Sequence, residues 1–150
     1  MHEKMMKAAL AQAKIAYKNR EVPIGCVVAR GDEIVARSRN SKNAENDSLA
    51  HAEMKAIKKA QKKLGTKYLY DCTLYVTVEP CAMCAGALIN ARVGKLVYGV
   101  KEPKTGCCGS LYDLVSDGRM NHRIPYEEGI CKEECEKLMK DFFAERRNKC

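Results

Sequence analysis

No stretch of this chain is both apolar enough and long enough to cross a bilayer as a helix, which takes about 20 consecutive apolar residues. Residues Met1–Arg20 scatter Lys and Glu among the apolar positions, and lack the continuous apolar run and small-residue cleavage site of an export signal. Internal repeats, low-complexity tracts and linkers are missing too. Together these absences argue against membrane-spanning, solenoid and multi-domain classes and predict a soluble, cytoplasmic protein. What is present fits that class. With 150 residues the chain is long enough for one domain, 1–150, with a substantial core, and too short for two. Its 46% hydrophobic and 31% charged residues describe an ordinary globule.

Nine cysteines, an odd number, without an export signal argue for reduced thiols rather than a disulfide framework. Cysteines then remain available as metal-binding thiolates. The net charge of +8 and a pI near 9.0 favour a polyanionic partner, because Lys and Arg displace the counterions condensed on phosphates.

Met5, Met6, Ala9, Ala13, Ala16 and Tyr17 recur at helical spacing and predict an amphipathic first helix. Gly25–Ala29, turning at Gly31-Asp32 into Ile34–Ala36, reads as a β-hairpin, and the polar stretch Arg37–Ser48 as a loop. Asp47 or Ser48 is expected to cap the next helix, with Ala50, Met54, Ile57 and Leu64 as its buried stripe. His51 and Glu53 then fall in its first turn. Thr73–Val78 alternates as a strand, Pro80 is expected to open a helix, and Lys95–Val100 is a second strand, so the crossover argues for parallel pairing. Beyond a Lys101–Ser110 loop come a helical turn at Leu111–Val115, a short strand at Arg123–Tyr126, and a final helix with Cys131, Cys135, Leu138, Met139 and Phe142 on one face.

Two motifs about thirty residues apart carry the chemistry: His51-Ala52-Glu53 and Pro80-Cys81-Ala82-Met83-Cys84. His51, Cys81 and Cys84 supply three good zinc ligands, whereas a structural zinc takes four; the open position suits a water. A structural zinc completed by Cys72, Cys107 or Cys108 is the competing arrangement. Helix N-termini favour thiolates at Cys81 and Cys84, and Glu53, not needed as a ligand, stands ready to take a proton from activated water. A carboxylate that collects a proton must deliver it, and a ring nitrogen followed by a leaving amine is the natural destination. The H-x-E and P-C-x-x-C pair is the signature of hydrolytic zinc deaminases of nucleobases.

The wider sequence resembles the cytidine deaminase-like zinc deaminases, and within them the bacterial branch that deaminates tRNA adenosine. The resemblance is carried by EVPIGCVV at Glu21–Val28, Asn40, AHAE at Ala50–Glu53 and TLYVTVEPCAMCAGALI at Thr73–Ile89. KTGCCGSL at Lys104–Leu111, MNHR at Met120–Arg123 and DFFAERR at Asp141–Arg147 extend it. It implies a three-layer α/β/α fold with a central mixed sheet of about five strands, a homodimer, one zinc per chain, and conversion of adenosine to inosine at the wobble position of a tRNA anticodon. By that analogy Asn40 contacts the purine and the backbone N–H of Ala52 meets the oxygen formed. Lys101, Glu102 and Lys104 would hold flanking nucleotides together with Phe142, Phe143, Arg146 and Arg147, as aromatics stack unpaired bases and cations meet phosphates. Glu102 stands where such sequences usually carry aspartate, and Cys107-Cys108 where they carry small residues.

Overall fold

A computed structural model describes residues 1–148; the ninth cysteine, Cys150, lies outside them. Chain order gives α1 (His2–Lys18), β1 (Gly25–Arg30), β2 (Glu33–Arg39), α2 (Lys42–Glu45), α3 (Ala52–Leu64), β3 (Cys72–Val78), α4 (Ala82–Asn90), β4 (Lys95–Val100), β5 (Tyr126–Glu128) and α5 (Lys132–Asn148). The sheet runs β2-β1-β3-β4-β5. β1 pairs antiparallel with β2 and with β3, whereas β3–β4 and β4–β5 are parallel, giving the mixed five-stranded sheet that the sequence resemblance implies.

Pleating sends alternate side chains to opposite faces, and both faces are covered. Val27, Ala29, Tyr75 and Val97 meet Met5, Met6, Ala9 and Leu10 of α1 and Cys135 of α5. Cys26, Val28, Leu74, Val76, Leu96 and Tyr98 meet α3 and α4 on the other side. This explains why β3 is buried almost throughout rather than on alternate residues. Gly25 lets α1 approach β1 directly: a Cβ there would run into the backbone of Ala9 and Ala13.

Several boundaries differ from the expected ones. β2 continues to Arg39, and a short α2 occupies part of the predicted loop, its Asn43 and Ala44 N–H groups donating to the buried Glu21 carboxylate at 3.0 and 2.9 Å. His51, not Asp47 or Ser48, is the N-cap residue of α3; Asp47 instead accepts a turn bond from the Leu49 N–H at 2.9 Å. The buried stripe of α3 is Ala52, Glu53, Ala56, Ile57 and Ala60, leaving Met54 and Leu64 half-buried. Pro80 precedes the N-cap residue Cys81 rather than opening α4. The late turn is a 3-10 turn at Leu114–Ser116, and the last strand starts at Tyr126, where Arg123–Tyr126 had been expected. Among the described residues no helix is long and apolar enough to cross a membrane, and all eight cysteines are free thiols.

Candidate metal centre and substrate cavity

His51 and Cys81 are the N-cap residues of α3 and α4, and Cys84 is the third residue of α4. Two helix starts therefore converge on one point, each bringing unpaired N–H groups and partial positive charge. His51 Nδ1 lies 3.7 Å from Cys81 Sγ and 3.6 Å from Cys84 Sγ. Tetrahedral bonds to zinc of about 2.3 Å from sulfur and 2.0–2.1 Å from nitrogen would separate such atoms by about 3.6 Å. The donor set and its spacing fit zinc. No further His, Cys, Asp or Glu joins this cluster among the described residues, so Cys72, Cys107 and Cys108 do not complete a four-ligand structural site.

Protonation favours the same use. A hydrogen bond from the Cys84 thiol, reinforced by His51, holds Cys81 far below the usual thiol range, as a thiolate. The same pairing, together with burial, keeps the proton on Cys84, and pairing with Cys81 raises His51. Metal binding would displace these protons. Glu53 is 3% exposed, and its Oε1 is buried with no hydrogen-bond partner. Burial, with Cys81 adding to it, pushes its carboxyl up to about 7. An orphaned acceptor beside three metal-ligating atoms is what a proton-carrying group awaiting water and substrate would look like.

The cluster opens into a cavity of about 340 Å³, within the range of about 300–1,000 Å³ usual for small-ligand sites, whose wall includes Asn40, His51, Glu53 and Cys81. Asn40 accepts the Ala52 N–H through Oδ1 at 2.8 Å, so it satisfies the first donor of α3 from twelve residues upstream. Ala52 thus anchors Asn40 here, through the N–H expected to meet the product oxygen. Glu102, Lys104, Met139 and Phe143 line this cavity and also an outer groove of about 1,010 Å³ that continues along α5. In that groove Lys104, Lys140, Arg146 and Arg147 outnumber Glu102 and Asp141.

Not every expected contact residue reaches this surface. Phe142 is only 5% exposed and packs edge-on against Tyr17, so its ring belongs to the core; Phe143, 41% exposed, forms the groove wall. A ring enclosed by protein offers no face for a base to stack on. Arg146 lies over the Phe142 ring at 5.5 Å, and Arg147 lines the outer groove. The Lys101 ammonium stands 3.6 Å from Glu128, and Lys101 lines neither the cavity nor the groove. Sequence reasoning gave no role to Glu79, a buried carboxylate on the cavity wall. The available signal was a charged residue closing an apolar strand two positions before the first metal-binding cysteine.

Comparison with known proteins agrees with this chemistry. The MafB19-like deaminase family model matches residues 1–147, so the chain belongs to that deaminase family. A tRNA-specific adenosine deaminase of Bacillus subtilis (strain 168) is 47% identical over 147 residues, 98% of this chain and 91% of that protein. One of Aquifex aeolicus (strain VF5) is 40% identical over 146 residues, covering 97% and 96%. A solved structure from a study of A-to-I editing by tRNA deaminases at the wobble position superposes with a TM-score of 0.86 at 37% identity, covering 90% of this chain and 98% of that one. A guanine deaminase from Nitrosomonas europaea shares the fold, with a TM-score of 0.83 at 24% identity over 95% and 84% of the two chains. The chain belongs to the bacterial tRNA-specific adenosine deaminase family of the cytidine deaminase-like superfamily.

Proposed function

We propose that this protein converts adenosine to inosine at the wobble position of a tRNA anticodon, acting as one catalytic domain with one zinc ion per chain. The observation that carries the reading is the unpartnered Glu53 Oε1 buried beside three ligand atoms at zinc spacing, in a cavity continuous with a basic groove. The 47% identity to a tRNA-specific adenosine deaminase supports the choice of base and RNA.

His51, Cys81 and Cys84 would hold the zinc, which would supply the Lewis acidity that makes water a nucleophile near neutral pH. Glu53 takes the proton released by water, delivers it to the purine ring nitrogen, and protonates the departing ammonia. Water oxygen replaces the exocyclic amine, so adenosine and water become inosine and ammonia. Asn40, held through Oδ1 by Ala52, uses its amide nitrogen to orient the purine. Glu102, Lys104, Phe143, Arg146 and Arg147 hold flanking nucleotides, with Lys101 at the margin of that contact. An anticodon loop is already unpaired, which lowers the cost of extruding the target base. The protein works in the cytoplasm as a homodimer.

The test is inosine formation on a synthetic anticodon stem-loop carrying a wobble adenosine, read by mass spectrometry. Conversion supports the reading. Deamination of a free base with the stem-loop untouched refutes it.

A further inference from the structure

Of the three carboxylates that line the cavity, Glu53, Glu79 and Glu102, the first two are buried, and their hydrogen bonding separates them. Glu53 has an oxygen with no partner; Glu79, only 4% exposed, has every acceptor position engaged. Its Oε1 accepts the Glu102 N–H at 3.0 Å and the Ser110 hydroxyl, and its Oε2 accepts the Cys108 and Ser110 N–H groups, each at 3.0 Å. A carboxylate offers about four acceptor sites, so none is left for water or substrate. All four donors come from residues 102–110.

From this we infer that Glu79 is a positioning residue: it clasps the base of the 102–110 loop and thereby sets the substrate-facing wall made by Glu102, Lys104 and Thr105. The inference rests on reading this cavity as the adenosine site. Supporting contacts run the same way. The Gly106 N–H donates to the Glu102 carbonyl at 2.8 Å, the Cys107 N–H donates to the Pro80 carbonyl at 2.9 Å, and Gly106 bridges to Cys81. A Cβ on Gly106 would overlap the Glu79 carboxylate, so loop and carboxylate are fitted to each other. The strand that delivers Cys81 to the metal centre therefore also fixes the loop facing the nucleotide, through the residue two places earlier.

Glu79→Gln keeps the shape and turns one acceptor oxygen into a donor, which leaves at least one loop N–H without its partner. The loop then spends only a fraction of its time in the binding arrangement, and apparent affinity falls by that fraction. The expected result is a KM for the anticodon stem-loop raised about tenfold or more, zinc content retained, kcat within about threefold, and faster tryptic cleavage after Lys101 and Lys104. Unchanged KM and unchanged cleavage overturn the inference. So does a fall in kcat at unchanged KM, which would put Glu79 in the chemical step, and so does loss of zinc in step with activity. Ser110→Ala, which removes one donor and leaves the carboxylate intact, should show the same KM and cleavage changes in weaker form and covers the case of a misfolded Glu79 variant. Failure of the wild type on the stem-loop would refute the substrate reading, while the proteolysis comparison would still judge the clasp.

Discussion

Replacing Glu53 by glutamine should make the metal-free protein more stable at neutral pH while abolishing its activity when zinc is present. Burial moves the carboxyl from an ordinary 4.5 to about 7, so the folded state holds its proton where the unfolded chain has lost it. The sign follows from proton binding. Between pH 4.5 and 7 the folded state binds more protons, and stability falls as pH rises through that window. Above it the wild type carries a penalty on the order of 3 kcal/mol, from about 1.4 kcal/mol for each tenfold change. Below pH 4.5 the penalty is absent. Glutamine cannot ionise and lacks this slope. Urea unfolding of chelator-treated wild type and Glu53→Gln at pH 4 and pH 8 measures it: the variant should gain on the wild type by on the order of 3 kcal/mol between the two pH values. In zinc-loaded enzyme the same variant should lose at least about a thousandfold in kcat, since one side chain handles both proton transfers. Equal stability differences at pH 4 and pH 8 would refute the argument that burial dominates the carboxyl.

Cys81→Ser and Cys84→Ser should each lose most of their zinc on dialysis against a chelator and drop in activity at least about 100-fold, measured by metal analysis and turnover. Phe142→Ala should cost about 3–5 kcal/mol in denaturant unfolding because it empties a core position, whereas Phe143→Ala should leave stability nearly unchanged and raise KM for the stem-loop severalfold. Gly25→Ala should be strongly destabilising, by 3 kcal/mol or roughly more, because its Cβ meets the α1 backbone, which cannot rotate aside. KM for the stem-loop should rise steeply between low and physiological salt as phosphate contacts in the basic groove are screened.

The clustering of His51, Cys81 and Cys84, the hairpin and the β3-α4-β4 crossover were legible in the sequence because each depends on residues close together in the chain or on a fixed spacing. His-x-Glu and Cys-x-x-Cys place their side chains through the geometry of one helix start. The misses have a common cause. Local preference points to Asp47 or Ser48 as the cap of α3, yet the first helical N–H is satisfied by Asn40 from another segment. The partners of Glu79 lie 23 to 31 residues away, and nothing local to Val78-Glu79-Pro80 announces them. Helical periodicity put Phe142 on the buried face of the last helix, and the DFF motif alone could not say which ring would line the groove; packing against Tyr17 decided it. Strand alternation in β3 was real, but helices on both faces made both sets of side chains core.

The central claim is that Glu53 and the His51-Cys81-Cys84 cluster deaminate an anticodon adenosine. Inosine formation on a stem-loop with a wobble adenosine, with zinc-loaded wild type and Glu53→Gln side by side, tests it most directly. The account predicts conversion by the wild type and essentially none by the variant, with equal zinc in both. Conversion by both, or by neither while a free base is deaminated, would contradict it.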